Sequence, residues 1–183
     1  MGKESKEEEI LKLFFEEPTK QWHFKEIKLL VPIADNKISR WLKQFIRMKL
    51  IIKIKPQNKM PHYVSNYEHP EYQNKKKVFA MKKFYESGFL NHLSNLASPT
   101  IILFGSFSRW DWHKTSDIDL FIYGDDSQFE KSKYESRLKH EIQIFNFKNK
   151  TELKKIPKEL LQNIICGNIL KGNLNFLEVK ING

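Results

Sequence analysis

The sequence contains very little cysteine and no long apolar segment. Cys166 is the single cysteine among 183 residues, which excludes a disulfide framework and a cysteine-rich metal site. The mean hydropathy is −0.58, and a transmembrane helix would need about 20 consecutive apolar residues, which are absent. The opening MGKESKEEEI also lacks the apolar core of a signal peptide. We therefore expect a cytoplasmic protein without a membrane partner, in which Cys166 lies in the core of an apolar helix face.

Acidic residues are missing from one long segment. Between Lys37 and Lys59 the sequence has eight Lys or Arg residues and no Asp or Glu. The whole chain carries a formal net charge of +10, from 32 Lys and Arg against 22 Asp and Glu. This basic excess favours a polyanionic partner such as nucleic acid.

The first 66 residues predict three helices followed by a β-hairpin. Apolar residues recur at helical spacing over 4–17, 25–30 and 37–50, and Asp35 or Asn36 would cap the third helix. The stretches IIKIK and HYV flank the turn PQNKM and alternate as hairpin strands do. This order predicts a winged helix-turn-helix domain over residues 1–66. We expect His62, in the hairpin, to be exposed.

The third helix carries a candidate nucleic-acid-binding face. Several polar residues avoid its apolar stripe and would line one exposed side, where they could contact the phosphates of duplex DNA or of RNA. An ordinary solvated helix face is the alternative. Trp41 belongs to the apolar stripe, and we expect it in the core. The residues of the face are Lys37, Arg40, Lys43, Gln44 and Arg47.

The rest of the sequence predicts a connector and a second domain. A Lys-rich helical segment covers 67–97 and bends near Gly88. Over 98–183, three apolar strands alternate with helices, so the fold class is α+β, with a small mixed β-sheet flanked by helices. The core of this domain should include Ile101, Leu103, Ile118, Leu120, Ile142 and Ile144.

Two aspartates interrupt the second of these strands. In an extended chain, residues i and i+2 face the same side, so Asp117 and Asp119 should project together while Ile118 points into the core. Neighbouring carboxylates repel each other unless a cation lies between them, and their oxygen atoms suit Mg²⁺. A purely structural role, such as capping or an ion pair with His113 or Lys114, is the alternative.

A Gly-Ser pair ends the preceding strand, ten residues before the aspartates. Gly105 would let a phosphate approach the backbone, and the Ser106 hydroxyl with nearby amides could bind phosphate oxygens. A phosphate-binding turn followed by a metal-binding Asp pair indicates a site for a nucleoside triphosphate and its metal. The tryptophans between them, Trp110 and Trp112, would either pack the loop or stack on a base.

This stretch resembles the polymerase-beta-type nucleotidyltransferases, in particular the minimal nucleotidyltransferases of archaea and bacteria. Their signature is a strand ending in Gly-Ser, a short helix, and Asp-x-Asp on the next strand, which Gly105, Ser106, Asp117 and Asp119 match. The resemblance implies that Arg109 helps to bind the nucleotide, that the metal is Mg²⁺ or Mn²⁺, and that ATP or another nucleoside triphosphate is the substrate. The whole chain is also similar to an archaeal group in which a winged helix precedes the transferase.

The resemblance further implies a third catalytic and metal-binding carboxylate on a later strand. Glu141, in KHEIQIFNF, is the candidate. Trp110 departs from the family pattern, which often has glycine at that place. If Glu141 lay away from the Asp pair, a second metal would be held weakly, and nucleotide binding would survive more readily than catalysis.

Three functions are compatible with this resemblance. The first is transfer of a nucleotidyl group to a hydroxyl acceptor, and a protein such as a toxin partner is a candidate because minimal transferases include antitoxins that adenylylate a toxin. The second is a DNA-binding transcriptional regulator whose degenerate transferase domain senses nucleotide. The third is nucleotide addition to RNA ends. A homodimer is compatible with each of them.

Overall fold

The computed structural model describes residues 5–175 and 177. These residues form two compact units: the first contains residues up to 79 together with 112–114, and the second contains residues 80–111 and those from 115 onward. The boundary at 79 lies inside the segment 67–97 that the sequence predicts as a connector. None of the helices in this part of the chain is long and apolar enough to cross a membrane.

The first unit combines helices with a three-stranded antiparallel sheet. The sheet has the strand order β1-β3-β2, so the hairpin of β2 and β3 is extended by the short strand that follows the first helix. Its elements are α1 (Lys6–Glu16), β1 (Trp22–His23), α2 (Phe24–Leu30), α3 (Asp35–Arg47), β2 (Ile51–Ile54), β3 (His62–Ser65) and the first part of α4 (Pro70–Glu86).

Helix α1 begins at a capping box and contributes aromatic residues to the core of the first unit. The Ser5 hydroxyl accepts a hydrogen bond from the Glu8 N–H, and the Glu8 carboxylate accepts one from the Ser5 N–H, which satisfies two donors at the start of the helix. On the buried face, Phe15 makes edge contacts with the rings of Tyr72, Phe79 and Trp112. Trp112 is buried in this cluster, so it packs within the first unit.

Two sequence predictions for α3 are wrong. The helix begins at Asp35, after Ala34 at the N-cap position, whereas we expected Asp35 or Asn36 to be the cap. The Asp35 carboxylate instead lies 2.7 Å from Lys28 Nζ, and a negative charge in the first turn is favourable there. Trp41 is only half-buried, because the core positions of the helix are taken by Ile38, Leu42 and Phe45.

The second unit contains a four-stranded mixed sheet in the order β6-β5-β4-β7. Strands β5 and β6 are parallel, and β4 is antiparallel to both of its neighbours. The sequence predicted three of these strands; the fourth pairs with β4 through a register shift and is short. Its elements are α5 (Phe89–Asn95), β4 (Thr100–Phe104), α6 (Gly105–Ser108), β5 (Ile118–Tyr123), α7 (Lys131–Leu138), β6 (Ile142–Phe147), α8 (Lys150–Leu153), α9 (Lys158–Ile165) and β7 (Asn168–Lys171).

The central strands of this sheet are buried on both faces. Five of the six predicted core residues are buried, and Ile144 is half-buried. However, Ile102, Phe104 and Phe121, which alternate with the predicted core residues along β4 and β5, are buried too, in a second cluster with Ile164 of α9. A strand covered on both sides reads as a continuous apolar run rather than an alternating one, which explains the sequence TIILF.

Cys166 is exposed, so its predicted place in the core is wrong. It is the C-cap residue of α9, just beyond the last helical turn. Ile164 occupies the buried position instead, because helical periodicity directs only one of these neighbouring side chains inward.

Candidate functional site

The Gly-Ser pair lies at the junction between β4 and the one-turn helix α6. Gly105 has φ of +67°, a left-handed conformation that glycine adopts without a steric penalty. The turn is closed by the Ser108 hydroxyl, which donates a hydrogen bond of 2.8 Å to the Gly105 carbonyl. The Ser106 side chain is half-buried and makes no hydrogen bond to the described residues, so its hydroxyl could bind a ligand.

Gly105 lies directly against the side chain of Asp119. The antiparallel register of β4 and β5 places Phe104 opposite Asp119, so the next residue meets the aspartate. A Cβ atom added at Gly105 would lie 2.0 Å from Asp119 Oδ2, far inside van der Waals contact. The Gly-Ser turn and the Asp pair are therefore brought together, and the glycine is what allows this approach.

Asp117 and Asp119 differ in environment. Asp117 is exposed and precedes β5, whereas Asp119 is half-buried within the strand. Burial raises the pKa of Asp119, the negative charge of Asp117 raises it further, and Arg109 opposes both effects. A carboxylate that is costly to ionise beside a second carboxylate would be stabilised by a bound cation.

Arg109 follows α6 and is exposed. Its Nε donates a hydrogen bond of 3.1 Å to Asp111 Oδ2, yet its charge also acts on Asp119. The resemblance implied that Arg109 helps to bind the nucleotide, and its exposed cationic side chain acts on both Asp111 and Asp119.

Glu141 is exposed and lies immediately before β6. Its carbonyl accepts a hydrogen bond of 2.8 Å from the Ile118 N–H, and the parallel register pairs Asp119 with Gln143. Within residues 5–175 and 177, no three His, Cys, Asp or Glu side chains are grouped closely enough to hold a metal ion. The structure thus brings the Asp pair together and does not add the Glu141 carboxylate to it.

Sequence reasoning missed His140 as part of this region. Its Nδ1 donates a hydrogen bond of 2.8 Å to the carbonyl of Ser116, the residue before the Asp pair. The ring also makes an edge contact with Phe107 of α6, at a centroid distance of 4.9 Å. His140 therefore contacts both halves of the site. The sequence offered no signal for this, because the contact depends on how β6 lies beside β5.

The predicted nucleic-acid face of α3 has four exposed cationic residues and one exception. Among the described residues, Lys37, Arg40, Lys43 and Arg47 form no ion pair, and their side chains are exposed. Gln44 is half-buried, and its amide donates a hydrogen bond of 3.1 Å to Glu7 of α1. Its side chain is therefore engaged within the first unit.

Comparison with known proteins supports the assignment of the second unit. Residues 91–174 match the family described as polymerase beta, nucleotidyltransferase. The match includes the Gly-Ser turn, the Asp pair and Glu141, and it supports a nucleotidyltransferase domain of the polymerase beta type in this part of the chain. Neither the curated proteins nor the solved structures compared with the chain gave a match.

Proposed function

We propose that the protein is a nucleotidyltransferase that moves a nucleotidyl group from a nucleoside triphosphate, ATP or another, to a hydroxyl acceptor. The observation that carries this proposal is the close approach of Gly105 to Asp119, with Asp117 two residues away. A phosphate-binding turn against a pair of carboxylates is what the transfer requires, because the reaction depends mainly on positioning and charge stabilisation.

The residues of the site fit a hard divalent cation such as Mg²⁺ or Mn²⁺. Asp117 and Asp119 supply carboxylate oxygens, and the raised pKa of Asp119 reflects burial and a repulsion that a cation would relieve. Such an ion would neutralise charge on the triphosphate. No third His, Cys, Asp or Glu is grouped with them among the described residues, so a second ion would need a ligand from Glu141, from the substrate or from water.

In the proposed transfer, the residues around the cation have separate roles. The acceptor oxygen bonds to the α-phosphorus, the bond from that phosphorus to the bridging oxygen breaks, and pyrophosphate leaves while the acceptor loses its proton. Ser106 and the neighbouring amides would hold phosphate oxygens, and Arg109 would offset their negative charge. In this proposal the acceptor proton passes to the Glu141 carboxylate, which approaches the Asp pair on substrate binding.

For the first unit we propose a winged helix-turn-helix that binds duplex DNA. The three helices, the strand order β1-β3-β2 and the exposed cations of α3 support this reading. Contacts from Lys and Arg to phosphates would position the unit on DNA. The unit would recruit a nucleic acid to the enzyme, and the acceptor itself would be a protein hydroxyl, as in the toxin-modifying relatives, or an RNA end.

The test is incubation with each nucleoside triphosphate labelled at the α-phosphate, with Mg²⁺ and with candidate acceptors. We expect label on an acceptor with one triphosphate, and no label with the Asp117→Asn variant. Asp125→Asn is the matched control, because Asp125 is an exposed aspartate of the same unit that accepts hydrogen bonds from Ser127. Absence of label with every triphosphate and acceptor would contradict the proposal.

A second candidate is a DNA-binding regulator whose transferase domain only senses nucleotide. The separation of Glu141 from the grouped carboxylates favours it. The Glu141→Gln variant distinguishes the two functions: it should stop transfer but preserve nucleotide binding in the enzyme. In the regulator, nucleotide should bind and alter DNA affinity, no transfer should occur, and Glu141→Gln should have no effect.

A further inference from the structure

A pocket in the first unit lies outside the site described above. It has a volume of about 520 Å³ and is open to solvent. Two histidines contribute to it from neighbouring strands, together with one ammonium group, one amide and two apolar side chains. The lining residues are Gln21, His23, Pro56, Lys59, Met60 and His62.

The two histidines face each other across the sheet. His23 of β1 is the register partner of His62 of β3. Their ring centroids are 5.9 Å apart, and the ring planes meet at 67°. Metal–nitrogen bonds of about 2.0–2.1 Å place a shared ion about 3.2 Å from each ring centre, so two imidazoles on one ion lie at most about 6.4 Å apart. The observed separation is within that limit.

The hydrogen bond of His23 fixes which ring nitrogen is available. His23 Nδ1 lies 3.2 Å from the Pro61 carbonyl oxygen, which can only accept, so Nδ1 carries the hydrogen. In the neutral ring, Nε2 then keeps its lone pair and can act as a ligand. Histidines that bind metals commonly donate their other ring N–H to a backbone carbonyl in this way.

His62 lies beside His23 on the neighbouring strand and is largely buried. We expected it to be exposed, but only 8 % of its surface is accessible, and its ring makes no hydrogen bond to any of the described residues. Its ring nitrogens are not among the fully buried side-chain atoms that lack a partner, so the imidazole keeps access to the pocket and can bind a ligand there.

We propose that His23 and His62 bind a late transition-metal ion, such as Zn²⁺ or Cu²⁺. Neutral imidazole nitrogens are the usual ligands of these ions, and the nearby Met60 thioether is a soft donor compatible with copper. Because the described residues hold no group of three His, Cys, Asp or Glu, water completes the coordination. The ion joins β1 to the strand β3 of the hairpin.

An anion is the competing ligand for this pocket. Lys59 would favour a phosphate group, but the only N–H of the neutral His23 ring is already donated to Pro61. His23 therefore presents a lone pair to the pocket, whereas an anion needs a donor. The test includes phosphate for this reason.

The test is calorimetric titration of the full chain with ZnCl₂ and, separately, CuCl₂. The chain carries Asp117→Asn and Asp119→Asn throughout, so that the candidate nucleotide site does not take up metal. We expect one ion per chain, and a loss of affinity of at least about tenfold in both His23→Gln and His62→Gln. His69→Asn, elsewhere in the first unit, should bind like the parent, and MgCl₂ should not compete.

A second measurement keeps the proposal testable if His62→Gln fails to fold. The spectrum of bound Cu²⁺ in electron paramagnetic resonance should show coupling to two imidazole nitrogens in the parent and to one in His23→Gln. Equal binding by parent and His23→Gln would overturn the proposal, as would an equal loss in His69→Asn. It would also fail if inorganic phosphate, rather than metal, bound in a His62-dependent manner.

Discussion

Gly105 and Gly88 both have left-handed backbones, with φ of +67° and +77°, but their surroundings differ. A Cβ at Gly105 would meet the Asp119 carboxylate at 2.0 Å, whereas at Gly88 its nearest neighbour is Arg137 Nη1 at 3.8 Å. We predict that both alanine variants lose about 1–2 kcal/mol of stability from backbone strain, and that only Gly105→Ala also weakens metal-dependent nucleotide binding.

Thermal unfolding and nucleotide titration of the two variants check this prediction. Because Gly88→Ala shares the backbone penalty, it isolates the effect of displacing the Asp119 carboxylate. Equal nucleotide affinity in both variants would mean that the contact between Gly105 and Asp119 does not shape the site.

The raised pKa of Asp119 gives a prediction for stability without metal. The folded protein binds this proton more readily than the unfolded chain does. The Asp119 carboxyl group therefore lowers the stability of the fold as pH rises from 3.8, the ordinary pKa of the group, to its higher pKa in the folded protein. Above the folded pKa this loss of stability is complete. The Asp119 side chain is half-exposed, so its ionisation destabilises the fold by about 1 kcal/mol or less. Asp119→Asn should therefore raise Tm at pH 7 by about 1–3 °C.

The comparison of melting curves at pH 7 and pH 3.5, in EDTA, tests this sign. The advantage of Asp119→Asn should shrink at the lower pH, where the parent carboxyl is protonated. A parent that is more stable than the variant at pH 7 without metal would show that Asp119 makes a favourable charged contact.

At the residue scale, the sequence indicated which residues belong to the candidate site better than it indicated their burial and contacts. Spacing alone placed Asp117 and Asp119 on one side, since that follows from local geometry. The contact with Gly105 depends on the register of β4 and β5, and the burial of His62 depends on its partner strand. Such non-local contacts leave no local pattern to detect.

At the scale of elements, β4 and β5 form the support of the candidate site. Leu120 is fully buried in β5, beside Asp119, whereas Ile52 of β2 is 45 % exposed. We predict that Leu120→Ala costs about 2–5 kcal/mol of unfolding free energy, since it leaves a cavity, and that Ile52→Ala costs less than about 1 kcal/mol. Urea unfolding measures both. Similar losses would mean that the sheet core is not where the structure has it.

Helix α3 carries the prediction for DNA binding. Replacing Arg40, Lys43 and Arg47 by Ala should weaken binding to duplex DNA. The slope of the logarithm of the binding constant against the logarithm of the salt concentration should become less steep by about one for each phosphate that the variant no longer neutralises. The control variant removes the same charge at exposed residues of the second unit, Lys154, Lys155 and Lys158.

Fluorescence anisotropy with a labelled duplex over a range of salt concentrations measures both variants. If the two triple variants bind DNA equally weakly, binding reflects overall charge rather than a face of α3. Nucleotide binding should be the same in both, because neither changes the second unit's candidate site.

Most elements could be predicted because their patterns are local. The apolar periodicities of α1 and α3 and the hairpin with its turn are visible in the sequence. Strand β7 was not predicted: two of its four residues are polar or charged, and its place is set by pairing with β4. Burial of both faces of β4 also needed the structure, because it depends on α9 and its neighbours.

At the scale of the whole molecule, one chain of net charge +10 joins the two proposed activities. The central claim is that the second unit binds a nucleoside triphosphate with its cation at Gly105, Ser106 and the Asp pair. This binding precedes any choice of acceptor, and the enzyme and the nucleotide-sensing regulator both require it.

The most direct test is equilibrium titration of the full chain with a non-hydrolysable nucleoside triphosphate, with and without Mg²⁺. We predict binding that depends on Mg²⁺ and falls at least about a hundredfold in the Asp117→Asn, Asp119→Asn double variant. The variant with Asp125→Asn and Asp126→Asn, which removes the same charge from the same unit, should bind like the parent. Equal affinity in the parent and in the Asp117, Asp119 variant would contradict the central claim.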